Sequence, residues 1–182
     1  MIHVDKLRIG DVVGTTDLSF LSSMIKLRTW GWCSMLSQSK CSHIATVVQE
    51  HGLFYLMEME GKGITESDVN KYDHSPPRAH ICFVGRHPVF NRMAIQLQYN
   101  DYMLLLHEKH VKYGFEDIAN FVLEEVGIRL HDKQDTLICS ELPRVGFAKC
   151  GIPYPQAWEK DCSPENWQVW PDLPKITSEI VG

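Results

Sequence analysis

Two runs of β-type residues lie close together in the first third of the chain. Residues 42–49 read Ser-His-Ile-Ala-Thr-Val-Val-Gln, residues 53–60 read Leu-Phe-Tyr-Leu-Met-Glu-Met-Glu, and Glu-His-Gly separates them. Runs rich in β-branched and aromatic residues around a turn that contains glycine predict a β-hairpin. We expect Gly52 to take a positive φ in this turn.

One face of the predicted hairpin carries a histidine and two acids. Side chains alternate between the faces of a strand, so Glu58 and Glu60 share a face. A two-residue turn at 51–52 sets His43 opposite Glu60 with Glu58 on the diagonal, whereas shifting the turn by one residue at each end sets His43 opposite Glu58. Both registers allow an acid beside the imidazole, where it would fix the tautomer. The alternative is an ordinary cross-strand pair on a solvated face.

The remaining chain mixes extended and helical patterns and predicts an α+β fold. We expect strands at 7–14 and 79–85, a helix from Leu18 capped by Thr16 and Asp17, helical packing over 88–108 with a break near Asn100 and Asp101, a helix over 118–126, and a helix that starts at Ser163 and Pro164. The sequence shows no repeat, low-complexity tract or linker, so we expect a single domain over 1–182.

A short apolar run at residues 135–142, Asp-Thr-Leu-Ile-Cys-Ser-Glu-Leu, delivers Cys139 to the start of a predicted helix. The N-terminus of a helix carries unpaired N–H groups and the positive end of the helix dipole, and both favour an anion. A thiol in that position is shifted towards the nucleophilic thiolate. Pro143 fits this helix only within the first turn, because elsewhere it removes a hydrogen bond. The alternative interpretation is a buried structural cysteine.

The composition argues against several classes of function. A net charge of −5 and a pI of about 6.0 give no general attraction to nucleic acid or acidic membranes. No apolar run approaches the about 20 residues that cross a bilayer, and the chain starts without the apolar region of a secretory signal. We therefore expect a cytoplasmic protein without stable membrane insertion, although phage-borne or released enzymes also lack such a signal. The oligomeric state does not follow from the sequence.

The six cysteines, at positions 33, 41, 82, 139, 150 and 162, form no CxxC pair. Without a secretory signal, we interpret them as reduced thiols. The histidines and cysteines near 33–43 and 80–87 lack the compact spacing of a zinc site. We therefore expect neither a metal nor a cofactor.

Trp30 and Trp32 follow a basic, aromatic and amphipathic stretch. Such a stretch can lie on a membrane or recognise a hydrophobic substrate, and the two tryptophans are candidates for the rim of a pocket. The simpler interpretation, which we favour, is that this face packs on the core.

The order of these motifs resembles that of one enzyme family, the circularly permuted branch of the NlpC-type papain-like cysteine peptidases, known as the YiiX/YaeF-like group. In that group the histidine precedes the cysteine along the chain. The matching pieces are Gly10-Asp11-Val12-Val13, Ser42-His43-Ile44, Glu58 between apolar residues, Tyr113, Cys139-Ser140-Glu141-Leu142 and Ser163-Pro164.

The resemblance implies a papain-like fold in which an antiparallel sheet or barrel packs against helices. It also implies that Cys139 is the nucleophile, that His43 is its general base and acid, and that Glu58 orients His43. The choice of Glu58 over Glu60 comes from the resemblance alone, because the two acids share a face.

The expected activity is that of a cysteine hydrolase that cleaves an amide or ester bond through an acyl-enzyme. Relatives cleave cell-wall peptides or transfer and remove acyl groups, so the expected substrate is a peptide or an acyl or lipid molecule. Tyr113, Trp30 and Trp32 are the candidate substrate-binding residues. The alternatives are a non-catalytic binding module that keeps the fold, and a redox or zinc protein that uses the scattered cysteines.

Overall fold

The computed structural model describes residues 2–16, 25–26, 40–60, 62–73, 79–113, 136–159 and 162–181. In these ranges an open antiparallel sheet contains β1 (Val12–Thr16), β2 (His43–Glu50), β3 (Leu53–Glu60), β4 (Gly63–Asp68) and β5 (His80–Gly85), in the order β4-β3-β2-β1-β5. The helices are α1 (Met93–Glu108), α2 (Glu141–Lys149), α3 (Pro164–Val169) and α4 (Thr177–Ile180). Two short parallel strands, β6 (Lys112–Tyr113) and β7 (Thr136–Leu137), form a second sheet. The predicted α+β class is confirmed.

The five-stranded sheet separates two hydrophobic cores. Neighbouring strand residues alternate between them, since Ile44 belongs to one core and Ala45 to the other. Helices α1, α2 and α3 cover the larger core, and the chain ends cover the smaller core through Ile2 and Ile180. Because both faces are buried at the centre of the sheet, β1 carries no charged side chain and β2 carries none through its middle.

The predicted hairpin is confirmed, with a two-residue turn at His51 and Gly52. Both turn residues have positive φ, 49° and 81°, which is the conformation of a tight turn that matches the twist of the strands. The resulting register pairs Ala45 with Glu58. The side chain of His43 therefore belongs to the same face as the acids of β3.

The predicted break near Asn100 and Asp101 is wrong, because α1 runs without interruption from Met93 to Glu108. Asparagine is a weak helix former, but the side chain of Asn100 makes two hydrogen bonds to the backbone of β2. The carbonyl oxygen of Asn100 accepts the N–H of Gln49 at 2.7 Å, and its amide group donates to the Gln49 carbonyl at 2.8 Å. The residue thus ties α1 to the end of β2.

The predicted first strand at 7–14 is displaced towards the C-terminus. The strand begins only at Val12, after a turn in which Gly10 has a φ of 86°. It continues to Thr16, which pairs with His80 and is therefore a strand residue rather than the expected helix cap. The helices predicted from Leu18 and over 118–126 fall largely or wholly outside the described residues.

Helix α3 begins at Pro164 as predicted, although the side chain of Ser163 makes no capping hydrogen bond. Within the described ranges, none of the helices combines the length and the apolar character that crossing a bilayer requires.

Candidate active site

Cys139 lies in the turn that leads into α2, two residues before the first helical residue. Two hydrogen bonds between Glu141 and Ile138 hold this turn. The N–H of Glu141 donates to the carbonyl of Ile138 at 3.1 Å, and the carboxylate of Glu141 accepts the N–H of Ile138 at 3.0 Å. Pro143 is the third residue of the helix, where no intrahelical hydrogen bond is lost. The sequence thus folds locally into a hydrogen-bonded turn that places Cys139 just before the helix.

The thiol of Cys139 is buried and faces the imidazole of His43. Burial by itself would raise the pKa of the thiol, but the charge and hydrogen bond of His43 outweigh it and lower that pKa. Backbone N–H groups of Ile44 and Ser140 also stabilise the thiolate. The arrangement favours a thiolate–imidazolium pair.

The imidazole of His43 connects the thiol to a carboxylate. Its Nε2 lies 2.9 Å from Oε2 of Glu58, which leaves Nδ1 as the ring nitrogen for Cys139. Burial opposes the protonation of His43, but the thiolate and the carboxylate raise its pKa from 6.5 to about 10. His43 therefore carries a proton over the neutral range and can give it to a neighbouring atom.

Glu58 is fully buried and remains ionised because it has several hydrogen-bond donors. Burial would raise its pKa, yet the interactions with His43 and with the hydroxyl of Tyr72 lower it to about 2. The Tyr72 hydroxyl donates to Oε2 at 2.5 Å, and Lys71 Nζ donates to Oε1 at 3.0 Å. Burial, with the added effect of Glu58, raises the pKa of Tyr72, so the phenol keeps the proton that it donates.

Helix α3 contacts both the segment that contains Cys139 and the segment that leads into His43. The indole N–H of Trp167 donates to the carbonyl of Ser140 at 2.8 Å, and the Ser140 hydroxyl donates to the carbonyl of Cys162, two residues before the helix. The side-chain carbonyl of Gln168 accepts the N–H of Cys41, just before the histidine, at 3.0 Å. One short helix thus joins the segment that contains Cys139 to the start of β2.

Cys139 differs from the other described cysteines in its electrostatics. Burial raises the pKa of Cys41, Cys150 and Cys162, and raises that of Cys82 to about 12. Those four thiols are neutral at physiological pH, and neutral thiols are poor nucleophiles. In the part of the chain that the structure describes, the Cys139 thiol is the cysteine whose pKa is lowered.

The three residues predicted to form the catalytic group therefore lie together. Among the predicted substrate-binding residues, Tyr113 is part of β6, whereas Trp30 and Trp32 lie outside the described residues. Within the described ranges, His, Cys, Asp and Glu form no group of three or more that could hold a metal ion.

Four residues around the candidate catalytic group were not predicted from the sequence: Lys71, Tyr72, Trp167 and Gln168. One available signal was the presence of two acids on an apolar strand, because buried carboxylates require nearby donors or cations. The contacts of α3 had no comparable signal, since they join segments that are far apart in the chain.

The fold is similar to that of a solved structure. The crystal structure of metalloprotein yiiX from Escherichia coli O157:H7, a DUF1105 protein, is 15% identical, with coverage of 93% of this chain and 96% of that chain and a TM-score of 0.52. At this identity the likeness shows the fold alone, an α+β architecture with an open antiparallel sheet that is consistent with a papain-like fold. No protein-family model matches the sequence, and no curated protein matches it.

Proposed function

We propose that this protein is a cysteine hydrolase that uses Cys139 as nucleophile, His43 as general acid and base, and Glu58 as the orienting acid. The observation that carries the proposal is the chain of contacts from a thiol of lowered pKa, through an imidazole, to a buried ionised carboxylate. The order of these residues along the chain is that of the permuted NlpC-type enzymes that the motifs resemble. A single domain provides all three groups.

The proposed reaction splits one acyl transfer into two steps. The Cys139 sulfur attacks the carbonyl carbon of an amide or ester, and the electron pair of the C=O bond moves to the oxygen. The backbone N–H of Cys139 supports this oxyanion as it forms. The bond to the leaving group then breaks as His43 gives its proton to the departing nitrogen or oxygen.

Water completes the cycle. His43, now neutral, takes a proton from a water molecule whose oxygen attacks the acyl-enzyme carbonyl. The carbon–sulfur bond breaks, the acid product leaves, and the thiolate–imidazolium pair forms again. Peptides and acyl or lipid esters are the two substrate classes proposed for this site, since either contains a carbonyl that this group can attack.

Active-site titration tests the proposal without knowledge of the substrate. Iodoacetamide is applied to the wild type, Cys139→Ala and His43→Ala at neutral pH, and mass spectrometry locates the label. We expect Cys139 to react at least about tenfold faster than the other cysteines, because the lowered pKa of its thiol gives it a larger thiolate fraction. We also expect the reaction to slow by a similar factor in His43→Ala. Labelling at Cys139 that is indifferent to His43 would indicate a non-catalytic protein with the same fold.

A further inference from the structure

Lys71 is positioned to act on the candidate site although it does not touch the thiol. It lies in the 3-10 turn Val69–Tyr72, directly after β4. Its Nζ donates to Glu58 Oε1 at 3.0 Å, to Glu60 Oε1 at 2.5 Å and to Ser67 Oγ at 3.2 Å. All three donor positions of the ammonium group are therefore in use, so this cation has a structural task and is not available to a ligand.

The contacts of Lys71 determine how the carboxylate of Glu58 is presented. Because the ammonium group holds Oε1, the other oxygen is the one that faces His43 and the Tyr72 hydroxyl. A carboxylate held at both oxygens cannot rotate freely. Its hydrogen bond to the imidazole keeps a defined direction, which general acid–base chemistry requires.

The same contacts produce a row of alternating charges. The row runs from the Cys139 thiolate through the His43 imidazolium, Glu58 and Lys71 to Glu60. Each charge in the row has neighbours of opposite sign. The two acids of β3 occupy different positions in it. The inner acid contacts the imidazole, and the outer acid, which is 43% exposed, holds the lysine.

We propose that Lys71 is a positioning residue of the candidate active site, which keeps Glu58 ionised and directed at His43, and that Glu60 holds Lys71 in place. The proposal deepens the proposed function, since it requires that His43 and Cys139 act as a pair. The titratable groups that face the lysine are Glu58 and Glu60 from β3 and Tyr72 from its own turn, with His43 beyond the carboxylate.

The sign of the electrostatic effect follows from the charges. A cation near the pair lowers the pKa of the Cys139 thiol, because it stabilises the form with more negative charge. Removing the positive charge of Lys71 therefore raises that pKa and shifts the acid limb of Cys139 reactivity to higher pH. The lysine side chain is 36% exposed, so solvent screens part of the effect and we expect a shift of about half a pH unit.

The experiment measures the rate of Cys139 alkylation by iodoacetamide between pH 4 and pH 9 (about the range in which a thiol of lowered pKa loses its proton). The neutral variants are Lys71→Met and Lys71→Gln, of which the second keeps a hydrogen-bond donor. Lys71→Arg keeps the charge, and Lys109→Met removes an exposed lysine at the end of α1. Thermal unfolding of every variant verifies that it is folded.

We expect the acid limb to move up by about half a unit in both neutral variants, which lowers the rate on that limb about threefold, and to return towards the wild-type position in Lys71→Arg. Lys109→Met should match the wild type. Neutral variants whose acid limb coincides with the wild type would overturn the role of Lys71. His43→Ala separates the two proposals, because a profile unchanged in that variant would overturn the proposed function itself.

Discussion

The imidazole of His43 bonds Glu58 across a diagonal of the hairpin. The register pairs Ala45 with Glu58, and two residues further along it sets His43 across from Glu60. Diagonal neighbours in an antiparallel pair are still within reach of long side chains, and Nε2 lies 2.9 Å from the carboxylate oxygen of Glu58. The directly opposed acid instead binds Lys71. The geometry therefore distinguishes two acids that share a face.

This difference predicts unequal effects of two matched substitutions. Glu58→Gln removes the charge that supports the imidazolium, so the thiolate of Cys139 is lost and its alkylation at neutral pH should slow about tenfold or more. Glu60→Gln keeps an acceptor for Lys71 and should change the rate by less than about twofold. Iodoacetamide kinetics at pH 7 measure both. A larger loss in Glu60→Gln would mean that the other acid orients His43.

The ion pair predicts an unusual dependence of stability on pH. Relative to their ordinary values of 6.5 and 9.0, the pKa of His43 is raised to about 10 and that of Cys139 is lowered. The native pair then holds one proton, on the imidazole, from the lowered thiol pKa up to about pH 10. The unfolded chain holds two protons below pH 6.5, one proton between 6.5 and 9.0, and none above.

In each pH range, the free energy of unfolding rises or falls with pH according to which state, unfolded or native, holds more protons. The contribution of the pair to the free energy of unfolding should stay level just below pH 9.0, where both states hold one proton, and fall between 9.0 and about 10, where only the native state still holds one. Urea unfolding of the wild type and of Cys139→Ala/His43→Ala over this range measures it as a difference. A difference that falls steadily from pH 6.5 would mean that the native thiol is neutral while the imidazole is charged.

The phenol of Tyr72 stabilises the fold through its bond to a buried charge. Tyr72→Phe keeps the ring but removes a donor from the carboxylate of Glu58, and a hydrogen bond to a charged group contributes about 2 kcal/mol. We expect a decrease of that size in the free energy of unfolding, measured in urea. Tyr154→Phe is the control, because the Tyr154 hydroxyl bonds Glu159 at the surface and its loss should change stability by less than about 0.5 kcal/mol. Equal effects of the two variants would contradict the assigned role.

Gly14 is required by the close packing of a ring against the centre of the sheet. A Cβ at this position would lie 2.0 Å from Cε1 of Phe83, which pairs with it on β5, and Ile44 pairs with it on β2. Gly14→Ala should therefore lower the free energy of unfolding by about 2 kcal/mol, as is typical of an overpacked core. Because the N–H of Ile44 stabilises the thiolate, Cys139 alkylation should slow as well.

The control for this variant is Gly151→Ala, where a Cβ meets no atom within 4 Å but φ is 64°. The strain of a positive φ costs about 1 kcal/mol, so stability should fall modestly while the alkylation rate stays unchanged. If Gly14→Ala were as mild as the control and left the alkylation rate unchanged, the packing of Phe83 would not constrain the site.

Local patterns were sufficient for the hairpin and for the position of the cysteine. Alternation with a period of two and a glycine in the turn depend on neighbouring residues, so the sequence alone indicated β2, β3 and the face shared by His43 and the acids. The same holds for Cys139 at the start of α2. The break predicted near Asn100 was wrong for the opposite reason. The Asn100 side chain hydrogen-bonds the backbone of a distant strand, and this tertiary contact outweighs the weak local preference of asparagine against a helix.

The identity of the partners within the site depended on the tertiary structure. The sequence placed both acids of β3 on the face of His43, but only the register and the direction of the side chains selected Glu58. Lys71 follows a third strand and Gln168 lies on α3, and no periodicity relates either residue to the histidine. By itself the sequence determined the β2–β3 hairpin, the start of α2 and the chemical groups that they carry, because these follow from local backbone geometry. Which groups meet was decided by the folding of distant segments onto one sheet, because burial and hydrogen bonding between them have no local signal.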